Sequence, residues 1–362
     1  MVDWKNPPKL FIPGPVKVNE DVLRQLARPT LGHRNKEYAQ LHQETVDMLK
    51  KVLFTSQNIF LSTSSASGFW EAAIRNCVNF DETVLCTCCG AFSDKWADVA
   101  KSCGRKIDQI KVDWGKPVLA EMLDKKLATG KYAAVTLVYN ETSTGLTNPL
   151  YEVSDMMKKK YPDVLVLVDA VSGMVGLPIH FDQLAWDVVF ASVQKAFAIP
   201  PGFTVAAVSN RALQKSKSVP QRGYYFDFQA FAKSAEKNQT PTTPSIPHIM
   251  ALHYQGRRLL EEGMENVWKR HRQMGEFVRA WAKERFGLFC EEKYSSNTLS
   301  TIKNTRGINV SKTINAVQEK HNVLFSNGYG DLKEKTFRIA HMGDITLDEL
   351  KDLLAWIDQE IG

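Results

Sequence analysis

The chain has 362 residues, of which 44% are hydrophobic and 24% charged; this is the composition of a folded globular protein, and the length suits a large domain plus a smaller one. A formal net charge of +6, with acidic and basic residues interspersed, gives little footprint for nucleic acid. No apolar stretch approaches the ~20 residues that span a bilayer, Met1-Val2-Asp3-Trp4-Lys5 lacks a signal-peptide apolar region, and Asp358-Gln359-Glu360-Ile361-Gly362 is not a peroxisomal address, so a cytoplasmic protein with no membrane or nucleic-acid partner is expected.

Strand and helix patterns alternate along the first part of the chain. Apolar runs at 58–62, 83–88, 133–139, 164–169, 187–191 and 203–209 predict strands, with helical patterns at 69–78, 94–102, 118–128 and 151–160. Such alternation predicts an α/β fold, a mostly parallel sheet with covering helices. The stretch 221–247 breaks the rhythm. There Gly223-Tyr224-Tyr225-Phe226-Asp227-Phe228 is followed by Asn238-Gln239-Thr240-Pro241-Thr242-Thr243-Pro244-Ser245-Ile246-Pro247, whose prolines forbid a regular helix. Helices at 249–262 and 264–286, interrupted at Gly263, come next. A strand at 298–303, a helix at 310–320, strands near 323–326 and 337–340 and a terminal helix at 347–361 complete a smaller α+β domain. We expect an N-terminal arm over 1–15, a large domain over 16–245 and a small domain over 246–362 that the arm completes in space.

The six cysteines, at 77, 86, 88, 89, 103 and 290, lack the density of a disulfide scaffold and are expected as reduced thiols. Cys86-Thr87-Cys88-Cys89 invites a metal site. No second Cys/His pair stands at finger-like spacing, however, so these residues read as small hydrophobes on a strand and no metal is expected.

Two residues suggest the chemistry. The run Val164-Leu165-Val166-Leu167-Val168 ends in Asp169, and Lys195 follows in Ala191-Ser192-Val193-Gln194-Lys195-Ala196-Phe197. Singly, a lysine after a strand is usually a solvated surface residue, and a strand-terminal aspartate is often a helix cap. Together they supply what pyridoxal phosphate needs: an amine that condenses with the cofactor aldehyde, and a carboxylate that holds a proton on the pyridine nitrogen so that the ring accepts electrons from a substrate Cα. A buried parallel strand would deliver Asp169 to the carboxyl edge of the sheet, where open α/β sheets bind ligands. Ser62-Thr63-Ser64-Ser65-Ala66-Ser67-Gly68, between a strand and a helix, could gather hydroxyls and free N–H groups around a phosphate, although such a run is more often a simple cap. Phe92 could stack on a pyridine face or merely pack in the core. Arg338, inside an apolar strand, offers a planar guanidinium to a carboxylate or forms a structural ion pair.

Phe11-Ile12-Pro13-Gly14-Pro15, Asn140-Glu141-Thr142-Ser143-Thr144-Gly145, Asp169-Ala170-Val171-Ser172-Gly173, and Ser192-Val193-Gln194-Lys195 followed by Pro200-Pro201-Gly202 occur in the order found in class V aminotransferases. From Phe11 to the final helix the chain resembles the alanine–glyoxylate and serine–pyruvate aminotransferases. This resemblance implies a fold-type I pyridoxal-phosphate-dependent transferase, with Lys195 attaching the cofactor and Asp169 facing its ring nitrogen. Phosphate contacts are implied for Ser65, Ala66, Ser67 and Gln194, in a turn less glycine-rich than the family's usual form. Phe92 stands where the family often has Trp, Thr142 matches a hydroxyl near the cofactor's O3′, Val171 is a further cofactor contact, and Arg338 matches the carboxylate-binding arginine. Thr243 matches a phosphate contact donated by the neighbouring subunit, which implies a homodimer with shared sites.

The implied activity is ping-pong transamination between a small L-amino acid, serine or alanine, and a 2-oxo acid, glyoxylate or pyruvate, with Lys195 moving the proton as base and acid. His33 and Arg34 leave the donor open. Gly32-His33-Arg34 resembles the small-substrate transaminases, whereas His33-Arg34 with Lys36-Glu37-Tyr38 and Asn140-Glu141-Thr142 resembles phosphoserine aminotransferases, which use the pair for the substrate phosphate. Pro200-Pro201-Gly202 and the overall pattern lean towards the first. A cysteine desulfurase shares the fold but carries His before its lysine, where this chain has Gln194, and a reactive loop cysteine.

Overall fold

The computed structural model describes residues 6–362; residues 1–5, read above for a leader, lie outside the described residues. At its centre is a seven-stranded sheet in the order Asn58–Ser62, Thr204–Val208, Val188–Ser192, Leu165–Asp169, Tyr132–Val138, Thr83–Cys88, Lys106–Lys111. Thr204–Val208 runs antiparallel to both neighbours, and the other pairs are parallel. Three central strands, Leu165–Asp169, Val188–Ser192 and Thr204–Val208, are buried at every residue. A sheet covered on both faces requires this, which is why these strands read as unbroken apolar runs.

Alternate residues feed two apolar layers. Leu61, Leu137, Val166, Val168, Val189 and Val205 pack on one face, and Phe60, Val138, Leu165, Leu167, Phe190 and Ala206 on the other. Cys86 and Cys88 belong to the second layer, where burial pushes their thiols up to about 11 and about 12. The edge strand Lys106–Lys111 escapes the sequence reading because its sequence, KIDQIK, has no apolar run and only Ile110 is buried. Charged residues on a short edge discourage further strand pairing.

The segment 221–247 is less irregular than expected. Ahead of its prolines, Asp227 accepts from Gln229 N at 3.0 Å and opens the helix Phe228–Ala235. This helix stacks Phe231 on Phe60 with ring centres 5.1 Å apart, covering the strand Asn58–Ser62.

A third apolar cluster gathers Met274, Val278, Ile302, Val310, Val317, Phe337, Ile339, Leu350 and Leu353, and includes Phe11 from the N-terminal segment. Its sheet runs Leu299–Lys303, Thr336–Ala340, Ser326–Asn327, all antiparallel. The single strand expected near 323–326 is split, because Val323–Leu324 pairs instead with Lys9–Leu10 in parallel. Helix Leu347–Ile361 begins at a capping box of Thr346 and Glu349. Among the described residues no helix is long and apolar enough to cross a membrane, and no three His, Cys, Asp or Glu side chains gather to hold a metal.

Candidate active site

The strands Asn58–Ser62, Thr83–Cys88, Tyr132–Val138, Leu165–Asp169 and Val188–Ser192 share one direction, so their carboxyl ends open on the same side of the sheet. The segments that follow them meet around a cavity of about 130 Å³ lined by Ser65, Ala66, Ser67, Phe92, Thr142, Asp169, Val171, Gln194 and Lys195, together with Trp70, Val138, Asn140 and Ser192. This is the crevice where open α/β sheets take ligands. Nine of the sequence-derived candidates share it; Thr243, His33, Arg34 and Arg338 are not in its lining.

Asp169 is 3% exposed. Its Oδ2 accepts from Trp70 Nε1 at 2.7 Å and its Oδ1 from Val171 N at 2.8 Å. Burial dominates these donors and raises its carboxyl to about 6, with Glu141 adding to the rise and Lys195 opposing it. Lys195 shows the converse. Burial, then Arg338, lowers its amine to about 8 against the pull of Asp169. Its Nζ donates to the Pro13 carbonyl. Gly14 is required beside it, since a Cβ there would lie 2.6 Å from Nζ, on a backbone with φ +115 that side chains rarely adopt.

The Ser65–Ser67 turn opens helix Ser67–Cys77 with Ala66, which has no capping side chain, at the N-cap, so no side chain caps this N-terminus. Ser192 Oγ accepts from Ala66 N at 2.8 Å and holds the turn against the end of the strand that leads to Lys195. The side-chain Oε1 of Gln194 is buried without a partner among the described residues, which leaves bonding capacity in the cavity. Thr142 Oγ1 donates to Ser172 Oγ at 2.7 Å, and Ser172 Oγ donates to the Asn140 carbonyl at 2.9 Å.

Glu141 has a structural task. It is fully buried and accepts from Ser93 N at 3.0 Å, Phe92 N at 3.3 Å and Ser143 Oγ at 2.6 Å, neutralising the N-terminus of helix Ala91–Ser102. Gly90 lets it approach, because a Cβ there would sit 2.4 Å from Glu141 Cγ. The carboxylate thereby fixes Phe92.

Arg338 is 9% exposed, and burial lowers its guanidinium to about 10. Nε donates to Asn327 O at 3.1 Å and Nη1 to Thr142 O at 3.3 Å, both neutral acceptors. His33 Nε2 lies 3.5 Å from Thr243 Oγ1. Arg34 is turned the same way, donating to Gln239 Oε1 and Thr240 O at 2.9 Å and to Pro241 O at 3.4 Å. The pair therefore braces the loop that carries Thr243.

Sequence reasoning missed Trp70, Pro13, Ser172 and the capping work of Glu141. Trp70 had a signal, one helical turn beyond Ser67; the others depend on contacts across the fold.

A buried amine, a buried carboxylate, an uncapped phosphate-sized turn and an aromatic wall converge as a pyridoxal phosphate site requires. The sequence pattern of the family described as Aminotransferase class-V matches residues 19–329. The chain is 36% identical to an uncharacterised aminotransferase of Methanocaldococcus jannaschii over 98% of this chain and 93% of that protein. With the L-aspartate–glyoxylate aminotransferase of Paracoccus denitrificans it shares 30% identity over 93% and 87%. The structure of an alanine–glyoxylate aminotransferase from Nostoc sp. superposes with a TM-score of 0.93 at 26% identity, covering 100% of this chain and 97% of that one. The fold is that of a fold-type I transferase. The chain belongs to the class V aminotransferase family.

Proposed function

We propose that the protein is a pyridoxal-phosphate-dependent transaminase that takes the amino group of a small L-amino acid, serine or alanine, and passes it to glyoxylate or pyruvate in a ping-pong cycle. The observation that carries this reading is the convergence of Lys195 and Asp169 on one cavity at the carboxyl edge of the sheet. Glyoxylate as acceptor is supported by the names of two relatives above.

When bound, the cofactor supplies an aldehyde that takes up the amino group and a ring that accepts the electrons released at Cα. Lys195 would hold it and, as base and then acid, would move the proton from the substrate Cα to the cofactor's aldehyde carbon, two atoms away; an amine lowered to about 8 gives up its proton far more readily near neutral pH than an ordinary lysine. Asp169 keeps a proton on the ring nitrogen, oriented by Trp70 and Val171. Ser65, Ala66, Ser67 and Gln194 take the phosphate, Phe92 and Val171 line the ring, and Thr142 stands by its hydroxyl side. Arg338, buried among neutral acceptors, takes the substrate carboxylate.

Thr243 serves the partner subunit's cofactor, with His33 and Arg34 holding its loop, so the active form is a homodimer. The division into arm, large and small domains at 15 and 245 is part of the same proposal. It is supported by the separate cluster around Phe337, whereas helix Ile246–Glu262 packs Ile249, Leu252 and Leu259 into the larger core and so sides with the large domain. A cytoplasmic location completes it.

The phosphoserine reading is the weaker alternative, since Arg34 already donates to the 239–241 loop and Glu141 accepts from a helix terminus. A desulfurase reading is disfavoured: burial pushes the thiols of Cys88, Cys89 and Cys290 up to about 12, and the half-buried Cys103 does not line the cavity. The test is Lys195→Ala, which should abolish the borohydride-reducible link to the cofactor and nearly all turnover. A normal reduced adduct in that variant overturns the assignment.

A further inference from the structure

Helix Ala91–Ser102 carries Lys95 one turn beyond Phe92, and both side chains meet Tyr329 from the far end of the chain. The Phe92 and Tyr329 rings are 5.3 Å apart between centres. Lys95 Nζ donates to the Tyr329 hydroxyl at 2.6 Å and stands 5.0 Å from the centre of its ring. Arg338 Cζ lies 5.4 Å from the centre of that same ring. Thus one phenol ring gathers two cations, each within the roughly 6 Å reach of a cation–π contact.

The polar partners of these cations among the described residues are neutral: the Tyr329 hydroxyl for Lys95, and the Asn327 and Thr142 carbonyls for Arg338. The nearest carboxylate in sequence, Asp94, accepts from Trp114 Nε1 at 3.2 Å. Lys95 is exposed and Glu141 adds an attraction on Arg338; an anion lying between the two cations would relieve what remains of their mutual repulsion. The loop is also held in advance. Asn327 Oδ1 accepts from Gly328 N at 2.7 Å and Glu334 N at 2.9 Å, its Nδ2 donates to Glu334 Oε1 at 2.6 Å, and its carbonyl receives Arg338 Nε. Tyr329 and Arg338 are therefore set by the same residue.

We propose that Lys95, positioned by Tyr329, selects amino donors with an anionic side chain of the L-aspartate type, whose α-carboxylate goes to Arg338 and whose side-chain carboxylate goes to Lys95. This rests on the transaminase reading and extends it beyond serine and alanine. A side-chain phosphate shares the anionic chemistry, and the test separates the two.

The experiment uses the cofactor-loaded enzyme with glyoxylate as acceptor, and compares kcat/KM for L-aspartate, O-phospho-L-serine and L-alanine in the parent, Lys95→Met, Lys95→Arg and Tyr329→Phe. Lys95→Met should lower the aspartate-to-alanine ratio at least about fivefold, mainly through KM, because a charge-assisted contact is lost for one donor only. Lys95→Arg should keep most of the ratio, and Tyr329→Phe should lower it by less. Calorimetric binding of succinate and propionate gives a readout without turnover: succinate should bind more tightly than propionate in the parent, and that preference should fall in Lys95→Met. A ratio unchanged by Lys95→Met, or a larger loss for O-phospho-L-serine than for aspartate, overturns the proposal. Succinate selectivity with no turnover of any donor would instead sink the transaminase reading and leave the anion site standing.

Discussion

Asp169 pairs two donors with deep burial, and burial wins: the carboxyl rises to about 6. A ring-nitrogen proton would be its natural counter-charge. Asp169→Asn should therefore leave cofactor binding largely intact while lowering single-turnover proton abstraction on the order of a hundredfold, the scale of losing one preorganised charge at a reacting centre; unchanged kinetics would count against its role. Arg34 invites a different expectation. Because its guanidinium holds the 239–241 loop, Arg34→Ala should weaken L-alanine and O-phospho-L-serine alike. A selective loss for the phosphorylated donor, read as the ratio of kcat/KM values, would restore the phosphoserine reading.

At the scale of elements, the helix Ala91–Ser102 depends on a carboxylate from another segment. Gly90→Ala should drive a Cβ into Glu141 and Ser143, costing about 1–3 kcal/mol in the manner of overpacked cores, and should also disturb cofactor binding by moving Phe92. A denaturation midpoint unchanged from the parent would show that the cap can shift freely. What the sequence made legible follows the same physics. Leu165–Asp169 and Val188–Ser192 were readable because doubly buried strands leave apolar runs that end at the site. Lys106–Lys111 was hidden because an edge strand stays polar, and Phe228–Ala235 because nearby prolines masked a short amphipathic turn of chain. Lys195 and Asp169 were found by their chemistry together. Trp70 could have been, one helical turn beyond Ser67, but Pro13 and Tyr329 could not, since their parts depend on neighbours 182 and 234 positions away.

For the molecule as a whole, the site holds two buried ionisable groups at some expense in stability. The folded-state amine of Lys195, lowered from 10.5 to about 8, binds its proton less well than the unfolded chain does. Below pH 8 both states are protonated and the folded state carries the full penalty. Between about 8 and 10.5 the unfolded state binds more protons, so stability rises with pH. Cofactor-free Lys195→Met should accordingly be more stable than the parent at pH 7, by a few kcal/mol at most (roughly 3), and the gap should narrow through that window in chemical denaturation; a gap constant with pH would contradict the burial argument. Thr243 makes a second claim at this scale, that activity belongs to a dimer, and a fully active monomer in sedimentation would refute it. The central claim, an amine and a carboxylate that together run an amino-group exchange, is tested most directly by the visible absorbance of the purified cofactor-loaded protein. Addition of L-alanine or L-serine should bleach the cofactor band and glyoxylate should restore it. A band that neither amino acid bleaches, nor L-aspartate in their place, would contradict the account.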